Sequence, residues 1–182
     1  KKRANENEYE YLSHTYSDVM DRYRSMEYVM DSMKPIIKEK LLSNLLQGKM
    51  DNMKEIEDKL KLIELDLAAN NFVVILMQID DYNLLCEKHT EKERNLFKYD
   101  FINKVEDAVS KQFKGVCIEM ESDKFALLVT FDENIAILEV QKGIGLMTKI
   151  VRNQVELSFP FTITMGIGKI YKDISNVDLS YK

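Results

Sequence analysis

The chain has 182 residues, with 26 Lys and Arg against 31 Asp and Glu for a net charge of -5, and 45% of it is hydrophobic. That length suits one ordinary domain with an appendage, and the acidic balance excludes a fragment that grips nucleic acid or an anionic membrane by itself, because phosphate binding rests on clustered Lys and Arg. His14, His89, Cys86 and Cys117 are too dispersed to form a zinc site with the usual close ligand spacings, which excludes that metal class.

Two lone thiols fit a reducing compartment, and both read as ordinary buried cysteines. No run of 18 apolar residues occurs, and the opening Lys1-Lys2-Arg3 lacks the apolar stretch of a signal peptide, so the expected location of these residues is cytoplasmic. The chain opens without Met and stops at Ser180-Tyr181-Lys182 in what reads as a helix, which predicts a piece of a longer protein.

From Tyr9 the apolar residues fall at Tyr9, Leu12, Tyr16, Val19, Tyr23, Met26, Met30, Met33 and Ile37, a 3,4 spacing that predicts a coiled coil and a homodimer. With Tyr at the a positions, Arg22 at g and Glu27 at the next e can meet across a parallel pair. Tyr and Met are bulkier or more flexible than the Ile and Leu of a tight zipper, so the seam reads as weak and adjustable. The alternative is a helix that lays the same stripe on its own domain. Residues 1–34 are thus expected to be a signalling helix.

Pro35 lacks an amide hydrogen and its ring clashes with the carbonyl four residues back, so the helix is expected to kink or restart there, at a relay junction. Residues 35–69 read as a helical connector packed on a core. A helix over 36–47 carries Ile36, Ile37, Leu41, Leu42, Leu45 and Leu46 and stops at Gly48; another runs from Asp51 as N-cap to Ile63 with Ile56, Leu60 and Ile63 on one face.

The remainder, 70–182, alternates. Phe72 to Ile79 is an apolar, β-branched run suited to a central strand. Asp80-Asp81 ends it and caps a short helix bearing Tyr82, Leu85 and Cys86. Thr90-Glu91-Lys92-Glu93 matches a capping box and opens a helix to about Phe113 with Phe97, Phe101, Val105 and Val109 inward. Strands follow at Val116 to Met120 and Lys124 to Thr130, joined by the turn Glu121-Ser122-Asp123. A helix from Asp132–Asn134 to about Gln154, a strand at Phe161 to Ile167 and a cap at Ser175-Asn176-Val177-Asp178 complete the chain. The β-α-α-β-β-α-β order predicts an α+β, ferredoxin-like sandwich. Asp80 and Asp123 are candidate acid/base partners, though a helix cap and a turn residue account for them without chemistry.

These residues resemble GGDEF domains, the diguanylate cyclases. Ile79-Asp80-Asp81-Tyr82 is similar to that family's D-I-D-h-F segment, Glu121-Ser122-Asp123-Lys124-Phe125 falls where Gly-Gly-Asp-Glu-Phe belongs, and Thr164-Met165-Gly166-Ile167-Gly168 resembles its later S-I-G-I strand. The resemblance implies a nucleotide cyclase-like fold with an altered site. Gln78 stands at the metal-holding aspartate and Lys124 at the metal-binding glutamate. Glu121 and Ser122 replace the two glycines that admit the nucleotide. Cys86 and Asn95 fall at the guanine contacts, and Gln112-Phe113-Lys114-Gly115 lacks the product-inhibition motif. No catalytic, metal or cofactor-binding residue is therefore expected, and two-metal phosphoryl chemistry lacks its ligands.

A second resemblance covers the whole chain. Asn7-Glu8-Tyr9-Glu10-Tyr11-Leu12, the run Met33 to Gly48, and Leu65-Asp66-Leu67 ahead of Phe72-Val73-Val74 are similar to the middle region of large AraC-type transcription regulators of Gram-positive bacteria. It implies an upstream sensor, anchored in the plasma membrane or replaced by a receiver domain, and a C-terminal helix-turn-helix domain that contacts DNA in place of this fragment. The implied role is non-enzymatic relay. A nucleotide-sensing module and an active diguanylate cyclase are the alternatives.

Overall fold

A computed structural model describes residues 16, 19, 20, 22, 24–26, 28, 33–50, 52–62, 71–132, 134–172 and 176–181. The chain divides into two compact units, Lys1–Lys38 and Glu39–Lys182. In the first, the described residues from 16 to 28 are helical and exposed. Of the expected seam, Tyr16, Val19, Met26 and Met33 are exposed, whereas Tyr9, Leu12, Tyr23 and Met30 lie outside the described residues. Residues 33–46 are helical (α1), so Pro35 lies inside a helical run that begins at least three residues before the expected 36.

In the second unit the C-terminal part of α1 buries Leu41, Leu42, Leu45 and Leu46. It ends as its sequence predicts: Gly48 takes φ 65°, its N–H donates to Leu45 O at 3.1 Å, and Lys49 N–H donates to Asn44 O at 2.9 Å. This double closure satisfies two carbonyls that the helix end would leave open. Helix α2, Met53–Leu62, buries Ile56 and Leu60. Its cap is Asn52, whose Oδ1 accepts from Lys54 N–H at 3.1 Å, one residue beyond the expected Asp51.

The following elements are β1 (Asn71–Ile79), α3 (Tyr82–Lys88), α4 (Glu91–Ser110), β2 (Lys114–Glu121), β3 (Lys124–Phe131), α5 (Ile137–Ser158), β4 (Ile163–Ile167) and α6 (Val177–Tyr181). The strands form one sheet in the order β2-β3-β1-β4, with every neighbouring pair antiparallel. Consequently β1 and β2 run parallel with β3 between them, and β3 and β4 run parallel with β1 between them. Each helical crossover thus skips one strand, which is the expected ferredoxin-like α+β arrangement.

β1 is central, and its sequence says why: Phe72, Val73, Val74 and Ile75 are all buried, so both faces of the strand are covered. The odd-numbered face, Val73, Ile75, Met77 and Ile79, joins the main core with Phe101 and Val105 of α4, Phe125 and Leu127 of β3, and Ile144, Met147 and Val151 of α5. Phe101 meets Phe125 at 4.7 Å between ring centroids. Helix α4 starts with the expected capping box: Thr90 Oγ1 accepts from Glu93 N–H at 3.4 Å, and Glu93 Oε2 accepts from Thr90 N–H at 2.8 Å. The Thr90 hydrogen bonds hold the Glu93 carboxyl below its ordinary range. α5 begins at Ile137 with Ala136 as its cap, not at Asp132–Asn134. There the Asp132 carboxylate accepts from Asn134 N–H at 2.8 Å and closes a local turn instead.

At the edge of β1 where β4 ends, α6 is tied down by one buried hydroxyl. Ser180 Oγ accepts from Val74 N–H at 2.9 Å and donates to Lys169 O at 2.7 Å. Gly168 is required beside it, because a Cβ there would collide with the Ser180 carbonyl oxygen. No helix among the described residues is long and apolar enough to cross a membrane.

Ser180→Ala leaves Val74 N–H buried without an acceptor, so it should cost about 1–3 kcal/mol in urea unfolding and shorten the hydrogen-exchange lifetime of that amide. Thr90→Ala should cost about 1 kcal/mol through loss of the α4 cap. Because the Glu93 carboxyl is lowered in the folded state, its contribution is present at neutral pH and fades as pH falls through its folded value. Thr90→Ala should therefore flatten the acid limb of the stability profile.

Candidate functional site

The sequence motifs meet where the C-terminal end of β1 faces the β2–β3 hairpin on one side and the start of β4 on the other. The register sets this: Gln78 lies opposite Lys124 of β3 and Thr164 of β4. Gln78 Nε2 donates to Asp123 Oδ2 at 2.8 Å, and Ile79 N–H donates to the Asp123 carbonyl at 2.8 Å. Asp123 is a turn residue, as expected, and its side chain pins the hairpin to β1.

Asp80 acts differently from the helix cap that its sequence suggests. Its two carboxylate oxygens accept from Thr162 Oγ1 at 2.6 Å and Thr164 Oγ1 at 2.8 Å, and its N–H donates to Thr162 O at 3.0 Å. The carboxylate buckles the end of β1 to β4. The cap position of α3 belongs to Asp81, which adopts a left-handed φ of 49° and makes no side-chain cap bond. Its carbonyl instead accepts from Leu84 N–H at 2.9 Å. Aspartate tolerates that backbone region better than most residues.

The hairpin tip is an exposed ion pair, with Lys124 Nζ 2.8 Å from Glu121 Oε2. The hydrogen bond and charge of Glu121 raise the Lys124 pKa, so the ammonium is held charged. Ser122 is exposed at the turn, while Phe125 is fully buried in the core. Deeper, Lys98 of α4 reaches Glu119 of β2 at 2.7 Å and lies 5.7 Å from the centroid of the Tyr82 ring. Burial works against the charge on Lys98, but Glu119 more than offsets it and the pKa is raised. Cys86 is half-buried on α3 and Asn95 is exposed on α4.

Sequence reasoning missed Lys98, Glu119 and Thr162. An alternating Thr162-x-Thr164 pattern on an edge strand next to an aspartate was the one available signal for the last; the Lys98 to Glu119 pair joins residues 21 apart and has none. Beside the buckle is a cavity of about 390 Å³ whose lining includes Asp80, Asp81, Lys88, His89, Phe161 and Thr162.

This donor set does not fit a hard divalent cation. Such ions take several oxygen ligands, mostly carboxylate. Here Gln78 presents an amide turned to Asp123, Lys124 presents an ammonium, and both oxygens of Asp80 are bonded to hydroxyls. Among the described residues no three His, Cys, Asp or Glu side chains converge as metal ligands.

Phe125→Ala should cost about 3–5 kcal/mol, since it opens a cavity where the ring meets Phe101. By contrast Glu121→Ala, which breaks an exposed pair, should change stability by no more than about 1 kcal/mol. Chemical denaturation of the two variants side by side tests whether the motif's aromatic is a core residue and its charges are not structural.

No protein-family model and no curated protein matches the chain. Among solved structures it is similar to the FimX GGDEF domain from Pseudomonas aeruginosa, at 14% identity and a TM-score of 0.44 over 60% of this chain and 69% of that one. It is also similar to the active GGEEF domain of a diguanylate cyclase from Vibrio cholerae, at 12% identity and a TM-score of 0.40 over 63% and 66%. A third is the diguanylate cyclase SiaD from the same Pseudomonas species, in complex with its activator SiaC, at 12% identity and a TM-score of 0.36 over 87% and 63%.

Proposed function

We propose that this chain is the non-enzymatic dimerisation and signal-relay region of an AraC-type transcription regulator, built on a degenerate GGDEF-like domain. The observation that carries the loss of chemistry is the engagement of the motif residues with one another: Gln78 with Asp123, Asp80 with Thr162 and Thr164, and Lys124 with Glu121. A phosphoryl-transfer site needs carboxylates free to hold metal and an open path for phosphate. Glu121 and Lys124 place a paired acid and base where that path would run.

The relay half of the reading is supported by the exposure of Tyr16, Val19, Met26 and Met33 at heptad spacing. A second copy of the helix would bury that stripe, with the Pro35 region passing a rotation or slide onward. The sensor would lie upstream, on a membrane-anchored or receiver domain, and the DNA reader would be a helix-turn-helix domain downstream. In that setting the net charge of -5 is no obstacle, since this region touches no DNA.

Light scattering of the 182-residue chain should give a dimer at high concentration, and deletion of residues 1–34 should return a monomer. A monomer in both removes the relay. Incubation with GTP and Mg²⁺ should yield no cyclic di-GMP, and its appearance would overturn the reading of the site.

One observation favours a ligand-sensing module as the second reading, namely the cavity next to Asp80 with Lys88 and His89 on its wall. Calorimetric titration with GTP, ATP and cyclic di-GMP decides between them: a Kd below about 10 μM, or about -6.8 kcal/mol, establishes sensing.

A further inference from the structure

A second cavity, of about 520 Å³, opens at the other end of β1, between α5 and the segment 168–172 that follows β4. The pairing of the edge strand creates it. β4 pairs with β1 only at Ile75 to Ile79. Past Gly168, whose N–H reaches Val74 O at 2.8 Å, the chain leaves strand geometry and rejoins β1 at a single bridge between Phe72 and Tyr171.

Three features of its lining point to a ligand. First, Asn71 is only 7% exposed and lines the cavity, yet its side-chain amide has no hydrogen-bond partner among the described residues. Among the described residues no side-chain polar atom is both sealed from solvent and without a partner, so this amide meets solvent at the cavity, where an acceptor on a ligand can take the place of water. Second, the lining contains two charged residues, Lys169 and Lys172, and no acid; neither ammonium has a carboxylate partner among the described residues. In a chain of net charge -5 this is a local concentration of positive charge against apolar walls that include Ile144 and Ile167.

Third, Gly145 occupies the interior of α5 with no packing reason. A Cβ at Gly143 would meet the Phe113 ring at 2.7 Å, whereas a Cβ at Gly145 would meet nothing within 4 Å. Glycine inside a helix is unfavourable, and here its effect is to leave the cavity wall open.

We infer that this cavity binds a small amphiphilic anion. Its apolar body would lie against Ile144, Gly145 and Ile167, and its carboxylate or phosphate head would meet Lys169, Lys172 and the Asn71 amide. The volume lies in the ordinary range for small-molecule sites, which pair apolar walls with a few placed polar groups. This site is separate from the motif residues around Asp80, and the inference stands whether or not those residues have lost their chemistry.

Decanoate and decyl phosphate, titrated below their micelle-forming concentrations into the 182-residue chain, test the inference by calorimetry and by the NMR shifts of the Asn71 side-chain amide. Decylamine and inorganic phosphate serve as controls. Saturable one-to-one binding of either anion is expected, with the Asn71 signals moving and decylamine leaving them in place. The tighter of the two anions identifies the head group.

Gly145→Leu should weaken binding at least tenfold while keeping or raising the thermal midpoint, because it fills open space and removes a helix-interior glycine. The double variant Lys169→Ala and Lys172→Ala should also weaken binding at least tenfold with the walls intact. Absence of saturable binding overturns the site, as does equal binding of decylamine, or wild-type affinity in both variants.

Discussion

Burial of β1 on both of its faces is the constraint from which the remaining architecture follows. A strand whose consecutive residues Phe72, Val73, Val74 and Ile75 are all shielded from water needs a layer on each side and a hydrogen-bonded neighbour at each edge. β3 and β4 supply the edges, and α4 and α5 supply one layer. Beyond the end of β4 the exposed edge of β1 is met by α6, whose Ser180 hydroxyl reaches Val74 N–H. Each fully buried Val or Ile contributes roughly 1.5–3 kcal/mol, so the sheet order is set by where this apolar run must lie.

The two ends of β1 then differ because its neighbours end differently. At the C-terminal end, the hairpin and β4 both extend far enough to meet it. The polar side chains that gather there, Gln78, Asp80, Asp123, Thr162 and Thr164, close on one another. Their hydrogen bonds hold three strands in register. At the N-terminal end β4 falls short, and the gap is bounded by apolar side chains, two lysines and the Asn71 amide. The two hydroxyls on Asp80 take about half of its carboxylate's accepting capacity, whereas the Asn71 amide and the two ammonium groups have no partner among the described residues. The chemistry open to each end follows from that difference in satisfaction, more than from residue identity.

Much of the fold was legible in the sequence. The 3.6 and 2.0 periodicities, the Thr90 to Glu93 capping box and the Gly48 stop all describe interactions between residues a few positions apart, and all are present. Expectations slipped at boundaries where two local solutions compete. Asp132 closes an Asx-type turn ahead of α5, and Asn52 caps α2. The candidate site was legible as a set of positions and misread as to roles: Asp80 looks like a cap because it precedes a helix, and it becomes a buckle because Thr162 and Thr164 arrive from more than 80 residues away.

By itself the sequence determined the elements, their order, the α+β class and the residues that occupy the hairpin, since all of these rest on short-range pattern and on which side chains avoid water. Tertiary structure alone decided which polar groups are spent and which are left over. Lys98 finds Glu119 and Gln78 finds Asp123 only once strand register is set. A hydrogen bond requires a partner within about 3 Å, and for residues distant in sequence that proximity is a property of the folded sheet.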